Sequence, residues 1–294
     1  MEKKTDNNEV FTKAENGAFL TPAEAEEYRA YKRKKRVAEV TGAFAKSESS
    51  ILNGEDVQRV CERAVRLRQA AVKLPLTRLS TAAYYLAKSG VKIDCVVGGN
   101  GETLARVKAY EAKLAVRRGA SEITIAVTPS FLDTCRYNEI RRELKRVRRA
   151  IGRAVLKVRM EKTGSPTTVA RVARIASEAG AAFFSIPYFN GCERLRVDMK
   201  NGCKLEVTGV RTAEDLKRLI AAGVGRVEME NPWETYSEWM REANETPIVS
   251  EVKLSPAKEE KPIAVQSDGV GLEKKGNPET DYRCRLEGSD LKFL

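Results

Sequence analysis

Alternation of apolar and charged positions is sharpest in Val155-Leu156-Lys157-Val158-Arg159-Met160-Glu161. There Leu156, Val158 and Met160 share one face, while Lys157, Arg159 and Glu161 share the other. Helical periodicity precedes this stretch from Tyr137 to Ile151, with Ile140, Leu144, Val147 and Ile151 in one stripe. It resumes from Pro166 to Ala179 with Val169, Val172 and Ala176. A strand held between two amphipathic helices is a βαβ segment whose helices cover the apolar side. The charged side then lines something wet. In a parallel barrel that is the lumen near the rim at the C-terminal ends of the strands, where barrel enzymes place their chemistry.

The same unit recurs along the chain. Ser89-Gly90-Val91, Arg118-Gly119-Ala120, Ala179-Gly180-Ala181 and Ala222-Gly223-Val224 each put glycine at a helix C-terminus directly before a β-rich run. Those runs are 91–97, 122–127, 181–186, 204–207 and 226–229, and a shorter one is Ala71-Val72-Lys73-Leu74. Seven βα units are visible between Glu55 and Ala243, which favours a closed (β/α)8 TIM barrel over an open doubly wound sheet. No G-x-G-x-x-G opens a helix after the first strand, and Gly98-Gly99-Asn100-Gly101 lacks the P-loop lysine. Upstream, Thr21-Pro22-Ala23-Glu24 is a capping box that starts a helix expected to reach about Glu39. The first strand falls somewhere in Val40 to Leu52 and is not placed by the pattern. After Asn244, prolines spread among Glu, Lys, Ser and Gly end the periodicity. The expected division is a polar N-terminus with a capped helix over 1–54, the barrel over 55–244, and a disordered or loosely docked tail over 245–294.

Composition narrows the chemistry. There is no histidine, which excludes Ser-His-Asp and Cys-His nucleophile systems and leaves lysine, carboxylate, tyrosine, thiol or water for proton transfer. Six cysteines form no C-x-x-C pair and read as reduced, packed thiols, so neither a metal nor a cofactor is expected. No apolar run approaches the roughly 20 residues that cross a bilayer, and Met1 to Asn16 is charged where a signal peptide is apolar. The reading is a cytoplasmic protein. The net charge of +12 is clustered in Lys32-Arg33-Lys34-Lys35-Arg36 and in Arg141, Arg142, Lys145, Arg146, Arg148 and Arg149. With no interleaved aromatics and no nucleic-acid motif, these are read as solvated helix faces that offer a contact to an acidic or protein partner, nucleic acid being disfavoured.

Taken in order, Val96-Val97-Gly98, Val107-Lys108 with Glu111, Gly119-Ala120-Ser121-Glu122-Ile123, Leu156-Lys157-Val158 with Glu161, and Gly209-Val210-Arg211-Thr212-Ala213-Glu214-Asp215 resemble the deoxyribose-phosphate aldolases over about 55–231. That resemblance implies a (β/α)8 barrel. It also implies a carbon–carbon lyase reaction that cleaves 2-deoxyribose 5-phosphate to glyceraldehyde 3-phosphate and acetaldehyde through a lysine Schiff base.

Carried over residue by residue, the family's catalytic positions hold other side chains here. The Schiff-base lysine of strand 6 corresponds to Ser185, the lysine that lowers its pKa to Leu205, and the acid–base aspartate of strand 4 to Thr124. Serine cannot form an iminium, and leucine can neither carry a proton nor tune a neighbour. At the phosphate end, where the family has Gly and Ser on strand 8, stand Glu228, Glu230 and Asn231. Lys157 matches a family lysine on strand 5, and Lys73 falls on strand 2 near the active centre. Two readings follow. In one, Lys157 or Lys73 is a relocated Schiff-base lysine of a working aldolase, with Arg159 lowering its pKa. In the other, which is preferred, Lys73, Lys157 and Arg159 neutralise Glu161, Glu228 and Glu230 inside a catalytically degenerate barrel that serves as a binding or scaffolding module. Gly209 and Arg211 complete the expected ligand rim.

Overall fold

The computed structural model describes residues 11–13, 19–51, 56–162, 164–195, 199–245 and 250–252. Strands β1 (Phe11–Lys13) and β2 (Phe19–Leu20) precede helix α1 (Pro22–Phe44). The capping box forms as expected, with the Glu24 amide donating to Thr21 Oγ1 at 3.4 Å and the Thr21 amide donating to Glu24 Oε2 at 2.9 Å. The helix runs past Glu39 because Val40 and Phe44, one turn apart, are fully buried. The Phe44 ring packs edge-on to Tyr236 at 5.2 Å.

Next come β3 (Ser47–Ser50), α2 (Val57–Arg66), β4 (Ala71–Pro75), α3 (Leu79–Leu86), β5 (Lys92–Val97), α4 (Ala105–Arg117) and β6 (Glu122–Ala126). The short α5 (Pro129–Asp133) is followed by α6 (Tyr137–Ile151), β7 (Val155–Arg159), α7 (Pro166–Glu178), β8 (Phe183–Pro187), β9 (Lys204–Val210), α8 (Ala213–Ala221), β10 (Arg226–Met229), α9 (Pro232–Glu245) and β11 (Ser250–Val252). Strands β3 to β10 pair in parallel and close into an eight-stranded barrel, with β10 hydrogen-bonded to β3. The (β/α)8 expectation holds, and an eighth strand joins the seven units visible in the pattern.

That eighth strand is β3, the barrel's first, so the barrel begins before residue 55. Its sequence, Ser-Glu-Ser-Ser, carries no apolar alternation because both of its faces are polar and both are satisfied. On the outer face Ser49 Oγ donates to Gln69 Oε1 at 2.6 Å, and Gln69 Nε2 donates to Ser47 Oγ at 2.9 Å. On the inner face Glu48 is fully buried.

The alternation of β7 is realised as read: Leu156 and Val158 are buried under the helices, and Lys157 turns into the lumen. Outside the barrel, α4 and α6 are bolted together by a buried ion pair, Lys108 Nζ to Glu143 Oε1 at 2.7 Å. Within the expected tail, β11 pairs antiparallel with β1, and β1 pairs with β2, in a separate three-stranded sheet. Residues 253–294 lie outside the described residues. Among the described residues, no helix is long and apolar enough to cross a membrane.

Candidate functional site

Alternate residues of each barrel strand face inward, so the lumen is read by taking every second position. β3 contributes Glu48, β4 Lys73, β5 Asp94, β6 Glu122 and Thr124, β7 Lys157, β8 Phe183 and Ser185, β9 Glu206, and β10 Arg226 and Glu228. The two lysines have no more than 1% of their side chains exposed, and each is surrounded by carboxylates. Lys73 Nζ lies 2.8 Å from Glu48 Oε1, 3.2 Å from Glu206 Oε1 and 2.5 Å from Glu228 Oε2. Lys157 Nζ lies 2.7 Å from Glu48 Oε2, 2.9 Å from Asp94 Oδ2, 2.9 Å from Glu206 Oε1 and 3.8 Å from Glu122 Oε2. Lower in the barrel, Arg226 Nη1 is 3.1 Å from Glu48 Oε2 and 3.3 Å from Glu122 Oε2, with its guanidinium 4.8 Å from the centre of the Phe183 ring.

The neutral polar groups complete the network. Ser185 Oγ donates to Glu206 Oε2 at 2.6 Å, and Thr124 Oγ1 donates to Asp94 Oδ2 at 2.7 Å. The arrangement has a simple geometry. Two carboxylate triads, Glu48–Asp94–Glu122 and Glu48–Glu206–Glu228, bring their oxygens within 4.8 Å of one another, as a set of metal ligands would. An ammonium group already sits in each: Lys157 touches all three members of the first, and Lys73 all three of the second.

Three cations face five carboxylates, and the titration of the cluster follows from that imbalance. Burial disfavours the charged amine of Lys73, but Glu206, Glu48 and Glu228 outweigh it and hold the ammonium well above its usual range. Burial likewise opposes the charge on Lys157, and Asp94, Glu206 and Glu48 raise it too. Burial would raise Glu48, yet Lys157, Lys73 and Arg226 hold it well below the carboxylate range. Burial and the adjacent Glu48 push Glu206 up to about 7, and burial raises Glu122.

The rim differs from expectation in its pairing. Arg159 does not reach the lumen cluster; its Nε donates to Glu161 Oε1, two residues along, at 3.1 Å. Arg226, Glu228 and Glu230 rise up the same face of β10 and its extension. Glu228 therefore belongs to the Lys73 triad below the rim, and only Glu230 stands at it. There Arg211 Nε donates to Glu230 Oε2 at 2.7 Å. The pair lines a cleft of about 490 Å3 together with Tyr188, Gly209, Thr212 and Asp215. Gly209 has φ +80°, a conformation that favours glycine. Thr124 and Ser185 line the lumen. Leu205 does not; it is half-buried on the outer face, and Glu206 takes the inward position. Counting back from Gly209 crosses a register irregularity where β9 pairs with β10, and a one-residue slip exchanges the two faces of a strand.

Five members of the cluster went unread: Glu48, Asp94, Glu122, Glu206 and Arg226. A signal was present for four of them, since Asp94, Glu122, Glu206 and Arg226 are charged residues inside short β-rich runs, where a buried strand is ordinarily apolar, whereas Glu48 lies in a strand with no apolar alternation.

Over 188 residues the chain is 32% identical to the deoxyribose-phosphate aldolase of Mycolicibacterium paratuberculosis, a match that takes in 58% of this chain and 83% of that one. The chain belongs to the deoxyribose-phosphate aldolase family. Another member, from Clostridioides difficile, is 36% identical over 108 residues, which is 36% of this chain and 49% of that relative, so this alignment spans about half of the relative's length. No family model matches the chain. Among solved structures, an aldolase named QR15 superposes with TM-score 0.62 at 24% identity, covering 68% of this chain and 96% of its own. The deoxyribose phosphate aldolase of Aeropyrum pernix superposes with TM-score 0.59 at 17% identity, covering 72% and 97%. At these identities the structures speak to the fold, and the fold is the aldolase barrel.

Proposed function

We propose that this member of the deoxyribose-phosphate aldolase family does not run a Schiff-base reaction and that its barrel serves as a binding or scaffolding module. The observation that carries this reading is the clamping of Lys73 and Lys157 by carboxylates on every side. Schiff-base formation begins when a neutral amine attacks the substrate carbonyl carbon, and the carbinolamine then loses water to give the iminium. An unperturbed lysine, with a pKa near 10.4, is neutral in only about one molecule in 2,500 at pH 7. Enzymes that use one depress that value, whereas here the surroundings of both lysines raise it. Ser185, at the family's nucleophile position, donates a hydrogen bond to Glu206 and has no nitrogen to offer.

The relocated-lysine reading draws support from one feature, the convergence of two lysines and Asp94 in one lumen, but the electrostatics run against it. Incubation with 2-deoxyribose 5-phosphate or acetaldehyde, borohydride reduction and intact-mass measurement separates the two. No adduct is expected. An adduct on Lys73 or Lys157 that disappears in the corresponding Lys→Met variant would establish the working aldolase instead.

A further inference from the structure

We infer that the outer face of α6 and α7 is a docking surface for the sugar–phosphate backbone of a nucleic acid strand, held by charge and without reading sequence. The proposal rests on the binding-module reading and names the partner. On α6, Arg142, Lys145, Arg146 and Arg149 are exposed one turn after another along a helix about 22 Å long. The fold brings a second row beside it from α7, Arg171 and Arg174. The two helices are tied across their boundary by Arg171, stacked 4.2 Å from the Tyr137 ring, and by Arg141, 3.5 Å from Glu178. Carboxylates on this surface are few. Glu139 pairs with Arg142 at 2.8 Å and Glu178 with Arg174 at 3.3 Å, while Glu143 is buried beneath, against Lys108. Lys145, Arg146 and Arg149 have no carboxylate partner among the described residues.

Two features choose the partner. The cations are almost all arginines, whose planar forks match phosphate oxygens two at a time. The exposed large apolar side chains of the described residues are Tyr31, Tyr84, Leu104, Val107 and Tyr110, and none is on α6 or α7. A protein partner is held through a buried apolar centre, which this face lacks. A polyanion bound by counterion release needs none. The α6 sequence alone read as a solvated face, since a single basic helix is common. The second row, and a face on which no large apolar side chain is fully exposed, come from the fold.

The test is fluorescence anisotropy of a labelled, mixed-sequence single-stranded RNA of about 30 nucleotides with the full chain, between roughly 50 and 200 mM salt. If three or more phosphates are neutralised, affinity falls about 20-fold or more over that range, a log–log slope of about −2 or steeper. A variant carrying Lys145→Gln, Arg146→Gln and Arg149→Gln should keep its melting temperature and flatten the slope by about 2. A control carrying Lys32→Gln, Arg33→Gln and Lys34→Gln on α1 should leave the slope unchanged. No binding at the lower salt would overturn the proposal, as would an α1 control that loses as much as the α6 variant. So would equal affinity for polyglutamate or for phosphatidylserine vesicles, which would assign the face to an acidic protein or a membrane. None of these outcomes bears on the borohydride experiment, so failure here is distinguishable from failure of the degenerate-aldolase reading.

Discussion

Lys73 and Lys157 each fill a carboxylate triad that, without the ammonium, has the oxygen spacing of a divalent-cation site. Removing one lysine leaves buried carboxylates uncompensated, a loss of about 3 to 5 kcal/mol. A Lys73→Ala variant should therefore melt well below the parent protein. Millimolar Ca2+ should restore part of that loss in the variant and leave the parent unchanged, a contrast that thermal-shift measurements read directly. Glu206 makes a second prediction. Its folded pKa of about 7 lies above the unfolded carboxyl value, so the folded state binds the extra proton between roughly pH 4.5 and 7. Stability should then fall as pH rises through that window, by about 3 kcal/mol from this group, and level off above it. Glu122 and Glu143, also raised by burial, act with the same sign. Urea titrations across the window should give this slope, and a Glu206→Gln variant should flatten it.

At the scale of elements, β3 is held by side-chain hydrogen bonds where the other strands are held by apolar contacts. Gln69 bridges Ser47 and Ser49, and a Gln69→Leu change leaves the buried Ser49 hydroxyl without its acceptor while Ser47 keeps its bond to the Phe44 carbonyl, for a loss of about 1 to 3 kcal/mol. Denaturation should register that loss, whereas the same change at an exposed glutamine would not. The turn after β9 is tuned in the opposite direction. Gly209 and the amide-rich start of α8 suit an anion, yet Glu230 occupies Arg211 at the rim. Calorimetry of the parent protein with 2-deoxyribose 5-phosphate at millimolar concentration should give no heat. Glu230→Ser should introduce weak phosphate affinity, and adding Arg211→Ala should abolish it again.

For the whole molecule, charge is used in two ways that salt distinguishes. The lumen cluster is shielded from solvent, so ions screen it little, whereas the α6–α7 face is open to the full effect of the ionic atmosphere. Raising salt from about 0.1 M to 1 M should abolish RNA binding while shifting the melting temperature only slightly. Parallel loss of both would mean that the barrel itself depends on exposed charge pairs.

The barrel was legible in the chain because its determinants are local. Strand and helix periods, glycine at the helix C-termini and the Thr21–Glu24 capping box are each set by residues within a turn or two of one another. Lys157 was legible for the same reason, as the charged face of an alternating strand. What stood opposite it was not. Closure of the barrel brings Glu48 and Glu206 to one nitrogen from positions far apart in sequence, and no local rule links them. The first strand lies inside the Val40–Leu52 window yet could not be placed there from the pattern, because its outward side is satisfied by Gln69 instead of by apolar packing. Leu205 turns out of the lumen and Glu206 into it, because one residue of register exchanges the two faces of a strand. Local chemistry determined which elements form. Closure of the ring decided which charges meet, and so whether a buried lysine is a nucleophile or a counter-ion.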